Sequence, residues 1–283
     1  MLRLIRIAAG LLLAAGGALL IWPHTTDSPI LYGRPSGCGG PEGECGGWDL
    51  RLASGETLTL PYAAERPEIA ISADGHHVVY LDLAERRVLA RDLRDGAVHR
   101  VTPALTPERA ADLTQLTVSG DGRLFAVSSA EGTRVTDSVT GPTRTLKGLC
   151  TVSALTADLV WGTARCGPGG WETDMLVAVR RDGTGFFVGD VDGGAALSPD
   201  GGRLLTYSFD GPLIVDAVTG KKVALVKKLY CGDEVVGWLN DHELVCEKQN
   251  RYGATDIATW AWRPLTTLPN EHVPYLVLGS VEQ

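Results

Sequence analysis

The chain has 283 residues, 44% apolar and 21% charged, an ordinary globular balance with length for one large domain or two small ones. A formal net charge of -8 argues against nucleic acid or anionic lipid as the main partner, because both call for clustered Lys and Arg. A chain of this length buries most of its surface without needing a metal or a dense disulfide framework.

Arg3 and Arg6 precede Ile7–Trp22, a run of sixteen residues without a charge. A positive flank followed by an apolar run is the chemistry of an export signal whose N-terminus stays in the cytoplasm. The run is slightly shorter than the roughly 17–25 residues of a spanning helix. No small-x-small cleavage site follows it, since Leu19-Leu20-Ile21-Trp22-Pro23 is bulky. Residues 1–24 are therefore expected to be an uncleaved signal anchor, with a cleaved signal peptide as the alternative. The expected location is the cell membrane, single-pass, with residues 25–283 outside the cytoplasm; the alternative is a secreted protein.

Six cysteines agree with export. Six allow fifteen pairings. Cys150 and Cys166 bracket one strand–turn–strand segment, and Cys231 and Cys246 bracket another. Residues at the open ends of a hairpin lie opposite each other, within reach of a bridge. Cys38 and Cys45 then pair across a Gly-rich loop. No Cys-x-x-Cys and no neighbouring pair of His favours a metal site instead.

Two turns alternate along the rest of the chain. The first is Ser-x-Asp-Gly or a relative: Ser72-Ala73-Asp74-Gly75, Ser119-Gly120-Asp121-Gly122, Thr156-Ala157-Asp158, Ser198-Pro199-Asp200-Gly201 and Leu239-Asn240-Asp241. The second ends in Gly at 55, 96, 141, 183 and 220, and Arg263-Pro264 takes its place near the end. The spacings are 41, 45, 42, 37 and 44 residues. The stretch from Leu197 to Val226 shows the unit: four short strands joined by Pro-Asp-Gly-Gly, Phe-Asp-Gly and Ala-Val-Thr-Gly turns. Short strands at this period indicate four-stranded blades around an axis.

With its Ser-x-Asp-Gly turns and the stretches Val135–Gly141 and Ile214–Gly220, the sequence resembles the WD-repeat and WD-like β-propeller family over roughly residues 48–281. The resemblance implies an all-β propeller, preceded by the N-terminal hydrophobic helix. No Gly-His pair opens the blades and no Trp-Asp closes the third strand, so the family's binding roles do not carry over. Five blades fall at about 66–103, 112–147, 149–188, 194–228 and 231–268. A sixth is expected from both chain ends, residues 29–61 with 273–281, because closure removes unpaired edges. A five-bladed ring with loose termini is the runner-up.

In an up-and-down blade the first and third turns share one face. Both repeated turns then lie on that face, and they are short. The second turns and the blade-to-blade links share the other face, where the connections lengthen at Arg34–Gly47, Pro103–Asp112, Cys166–Asp174 and Glu247–Asp256. Long loops on a rigid scaffold are the usual place for binding residues. Trp171, Glu172 and Asp174 in one loop, and Lys248, Arg251, Tyr252 and Asp256 in another, are the candidate binding residues. The competing view is that Trp171 folds onto its own loop and the charges are only solvated. Thr106-Pro107-Glu108 predicts a short helix start.

Motifs for catalysis are missing. There is no Gly-x-Ser-x-Gly and no Gly-x-x-x-x-Gly-Lys-Ser/Thr, and the six His are scattered. His76 and His77 point to opposite sides of one strand, and a structural role is expected for them. Asp190-Val191-Asp192-Gly193 lacks the later ligands of a calcium loop. No cofactor and no metal is expected. The expected function is a protein-binding or scaffold module working through the long-loop face toward an unknown protein or surface ligand. The membrane is met through the N-terminal helix only, and nucleic acid is not a partner. The alternatives are an enzyme whose residues converge at the axial channel, or a small-ligand sensor.

Overall fold

The computed structural model describes residues 25–36, 47–64, 66–141, 143–164, 174–180, 183–191, 195–208, 210–226, 231, 234–271, 273 and 276–279. Strand pairing follows the repeat. Blade 5 is typical: Ala195–Leu197, Arg203–Ser208, Gly211–Asp216 and Lys222–Leu225 pair in order as an antiparallel sheet. Four more sheets of four strands cover residues 70–100, 113–146, 151–191 and 234–264. The sixth joins the chain ends in the order Val277–Leu278, Ile30–Pro35, Trp48–Leu52, Thr57–Leu60, and is blade 1 below. The molecule is an all-β propeller of six four-stranded blades.

The core lies between blades rather than at the axis. Alternate residues of a strand point to opposite faces of its sheet, so each blade feeds two interfaces. Val78 and Tyr80 pack toward Trp48 and Leu50 of blade 1, whereas Val79 and Leu81 pack toward Leu116 and Phe125 of blade 3. Four further clusters fill the remaining interfaces around the ring. The last of these closes blade 6 on blade 1, with Leu239, Val245 and Tyr252 against Tyr32, Leu276 and Leu278.

The first and third turns share one end of every blade, here the turn face. In four blades a backbone N–H of the third turn reaches a carbonyl beside the first: Leu93 to His76, Ser138 to Arg123, Ala217 to Gly202 and Ile257 to His242, at 2.8, 2.9, 3.0 and 2.9 Å. In blade 1 the entering chain takes the place of the first turn, and Ala53 N–H donates to Pro29 O at 2.9 Å. The opposite end, the loop face, carries the second turns and the blade-to-blade links. Its helix Pro107–Ala111 starts where expected, with Thr106 Oγ1 accepting from Arg109 N–H.

Cys231 and Cys246 are bonded and buried between blades 5 and 6. Closing their loop, with a sequence separation of 15 residues, contributes about 3 kcal/mol in the chain-entropy view. Cys150 is disulfide-bonded too. Its expected partner Cys166, and the pair Cys38 and Cys45, lie outside the described residues, as does the run Ile7–Trp22. Among the described residues no helix is long and apolar enough to cross a membrane.

Truncation after Pro269 removes Val277–Leu278 and exposes the edge of Ile30–Pro35. The truncated protein is expected to lose several degrees of melting temperature and to aggregate on heating. An unchanged melting temperature would show that the closing strand is dispensable.

Candidate functional site

Among the described residues the loop face differs from its expected form in one place. The segment Glu247–Asp256 is not a long loop: Glu243–Lys248 and Arg251–Asp256 pair throughout and leave only Gln249 and Asn250 to turn, at φ 55° and 61°. Two consecutive left-handed residues make a tight hairpin turn whose twist matches that of the strands. Lys248 and Arg251 flank this turn, exposed on the loop face. Tyr252 is corrected. It is buried at 3% exposure, its hydroxyl accepts from Val273 N–H at 3.0 Å, and the Val273 carbonyl lies 3.4 Å from the same oxygen. A ring in the interface between blades 6 and 1 holds the returning C-terminal segment and is not presented to a partner. Asp256 is corrected as well. It ends its strand on the turn face and accepts from the N–H groups of Ala258 and Thr259, which puts it at the opposite end of the blade from Lys248. Trp171 and Glu172 lie outside the described residues, and of Asp174 only the backbone is described, at the start of the strand Asp174–Arg180.

A pair that the sequence reading passed over stands on the loop face instead. Ala63 bridges Asp82, and Leu83 N–H donates to Tyr62 O at 2.8 Å. Tyr62 and Leu83 are therefore opposite each other on adjacent strand extensions, close enough for their side chains to meet. They are 51% and 57% exposed. Glu85 beside them is ion-paired with Arg100 at 3.4 Å and approached by Arg87 at 4.0 Å. The signal was present in the sequence: Leu83 is a large apolar residue in an otherwise polar turn, Asp82-Leu83-Ala84-Glu85-Arg86.

The six innermost strands surround an axial channel of about 1110 Å³. Its middle is small, apolar or neutral, with Ala70, Gln115, Ser153, Ala196 and Gly237 along the wall. Among the described lining residues the charged ones lie at the mouths: Arg66 and Glu68 toward the loop face, and Asp121, Asp200 and Asp241 toward the turn face. No His, Cys or Lys is among the described residues of the lining. Among the described residues no group of three or more His, Cys, Asp or Glu is placed to hold a metal ion.

A dense polar cluster lies on the turn face of blade 2. His77, 8% exposed, has Nδ1 3.5 Å from Asp74 Oδ1 and Nε2 3.3 Å from Asp92 Oδ2. Arg94 Nη2 is 3.2 Å from the same Nε2 and 2.9 Å from Asp92 Oδ2. Ser72 completes a Ser–His–Asp set on paper, but it is not a nucleophile. The residue is fully buried, and its Oγ donates to Asp74 at 2.5 Å while accepting His77 N–H at 3.0 Å. The His77 ring lies over the neighbouring turn, and a Cβ added at Gly122 would come 2.0 Å from Nδ1. Burial pushes Asp74 up, but hydrogen bonds from His77, Ser72 and the His76 N–H together outweigh it and hold the carboxyl well below its usual range. Asp92 is held low in the same way, with Arg94 opposing burial.

No family model matches the chain, and no curated protein matches it. Solved structures are. The crystal structure of TolB from Acinetobacter baumannii is similar over 91% of this chain and 68% of that one, at 15% identity and a TM-score of 0.58. The β-propeller domain of the Trilobed protease from Pyrococcus furiosus, described as having an open velcro topology, matches over 77% of this chain and 76% of that one, at 13% identity and a TM-score of 0.53. The chain shares their propeller fold. At such identities the likeness extends to the fold alone.

Two outcomes follow from this geometry. Tyr252→Phe is expected to cost about 1 kcal/mol through the lost hydroxyl contacts, and Tyr252→Ala about 3–5 kcal/mol, read from urea midpoints. Wild-type stability in Tyr252→Ala would remove the residue from the closure. A depressed carboxylate contributes stability that is full above its unfolded pKa and lost as pH falls through its folded value. The melting temperature of the wild type should therefore drop steeply below about pH 4. Asp74→Asn should start lower at neutral pH and fall less in that range; a parallel pair of curves would exclude Asp74 as a source of the acid sensitivity.

Proposed function

We propose that the protein is a membrane-anchored, extracytoplasmic propeller that binds a protein partner through its loop face. The observation that carries this is the exposed Tyr62–Leu83 pair, an aromatic and an aliphatic side chain held side by side on a strand scaffold at 51% and 57% exposure. An aromatic anchor with an apolar neighbour and a charged rim is the composition of an interface centre. The rim here is Glu85 with Arg87 and Arg100. The turn face, by contrast, uses its polar groups internally. Three things support export: the charged flank and apolar run at the N-terminus, the buried disulfide Cys231–Cys246, and the even cysteine count. A second reading, a small ligand held in the axial channel, has the cavity of about 1110 Å³ in its favour.

The test is crosslinking on intact host cells with the full-length protein as bait, beside a Tyr62→Ser, Leu83→Ser variant. The same protein recovered in every replicate, and lost by a variant of wild-type melting temperature, is the expected result. A partner kept by the variant would move the site off this pair. No recurrent partner at all would overturn the binding-module reading in favour of the channel.

A further inference from the structure

We infer that the propeller stands on its turn face, with that face toward the bilayer and the loop face turned outward. The inference rests on the membrane-anchored reading and adds the orientation. Its basis is the point where the chain enters the fold. Residues 26–30 lie across three turns of the turn face. Thr26 N–H donates to Leu93 O at 2.8 Å, in the third turn of blade 2. Ser28 Oγ accepts from Ser54 N–H at 2.7 Å, and Pro29 O accepts from Ala53 N–H at 2.9 Å, both in the third turn of blade 1. Ile30 N–H donates to Gly75 O at 2.8 Å, in the first turn of blade 2. The entry segment is bonded at four successive points and cannot swing round to the other face without breaking them. The chain also leaves here: Gly279 N–H donates to Leu31 O at 2.8 Å, and a Cβ at Gly279 would lie 2.3 Å from Ile30 O.

The apolar run ends at Trp22, and Thr26 is already fixed. Four residues reach at most about 14 Å when fully extended. The turn face is therefore tethered close to the headgroups, and the loop face lies a further strand length away, about 20 Å for six residues. The turn face is suited to standing at a lipid surface rather than entering it. Its turn carboxylates Asp74, Asp92, Asp137, Asp200, Asp216 and Asp256 are all held low in pKa and stay ionised. Among its described residues the large exposed apolar side chains are scattered valines, Val139 and Val218 in third turns and Val98 and Val223 at the starts of the outer strands that follow them. Two consequences follow for function. The Tyr62–Leu83 pair faces away from the membrane, open to an extracytoplasmic partner. The channel presents its Arg66 and Glu68 mouth outward and its aspartate mouth to the bilayer.

The experiment uses the full-length protein in phosphatidylcholine vesicles that carry a headgroup-labelled acceptor lipid. Free cysteines are absent among the described residues; in a parent protein that takes up no thiol dye, single Cys substitutions at Val139 and Val218 on the turn face, and at Leu83 and Lys248 on the loop face, take one donor dye each. Energy transfer from the two turn-face positions should exceed that from the two loop-face positions by roughly twofold, for a step of about 20 Å between faces. Equal or reversed efficiencies in protein that floats with the vesicles would overturn the orientation and leave the anchor standing. Failure to float would overturn the anchor, and the orientation with it. Deleting residues 1–24 should abolish flotation; a deletion variant that still floats would show that another surface meets the lipid, which contradicts the tether.

Discussion

Two residue pairs close the ring: Tyr32 opposite Leu278 and Gly33 opposite Val277. The rest of the propeller depends on them. A blade buries its two faces only against its neighbours, so an open ring would leave one apolar interface on each side of the gap facing water, together with an unpaired strand edge. Two pairs are a short ladder, and the returning segment has further support. Leu276 and Leu278 pack into the cluster of Leu239, Val245 and Tyr252, and the Tyr252 hydroxyl binds the backbone at Val273. The closure is thus a packing contact as much as a hydrogen-bonded one.

The difference between the two faces follows from the same repeat. On the turn face an aspartate ends the third strand and accepts the N–H groups of the next residues: Asp137 from Val139 and Thr140, Asp216 from Val218 and Thr219, Asp256 from Ala258 and Thr259. In the first turn a serine and an aspartate do the same, with Ser119 donating to Asp121 and Ser198 to Asp200 at 2.6 Å each. Turns satisfied from within are short and stiff, and they present little that a partner can use. The loop face has no such repeated solution. Its connections vary from the two-residue turn at Gln249-Asn250 to the link with the helix Pro107–Ala111. Side chains such as Leu83 are left exposed there.

What the sequence revealed, and what it hid, divides along this line. The blade count was legible because the turn chemistry repeats: Gly75, Gly122 and Gly201 all sit at φ near 70°, where other residues are strained. The short helix after Thr106 was legible from its cap. The hairpin at Lys248–Arg251 was not, because its two left-handed positions are Gln and Asn rather than Gly, and the segment read as a loop. A loop over Glu247–Asp256 places Tyr252 and Asp256 on the loop face, whereas the strand Arg251–Asp256 buries the first and carries the second to the turn face. Burial of Tyr252 depends on a segment more than twenty residues later in the chain, which no local pattern shows. His77 was expected to be structural. Its engagement with both Asp74 and Asp92 joins the first and third turns of one blade, a pairing that appears only once the strands are in register.

The closed ring is tested most directly by native-state hydrogen exchange, read at single amides. If the C-terminal strand is an integral part of blade 1, the Val277 and Gly279 amides, which face Ile30–Pro35 in the ladder, will exchange with the same free energy as Leu244 and Val245, deep in blade 6. Exchange of Val277 and Gly279 within seconds, while Leu244 and Val245 stay protected, would mean that the ring is open at this joint and that blade 1 is not closed by the returning chain.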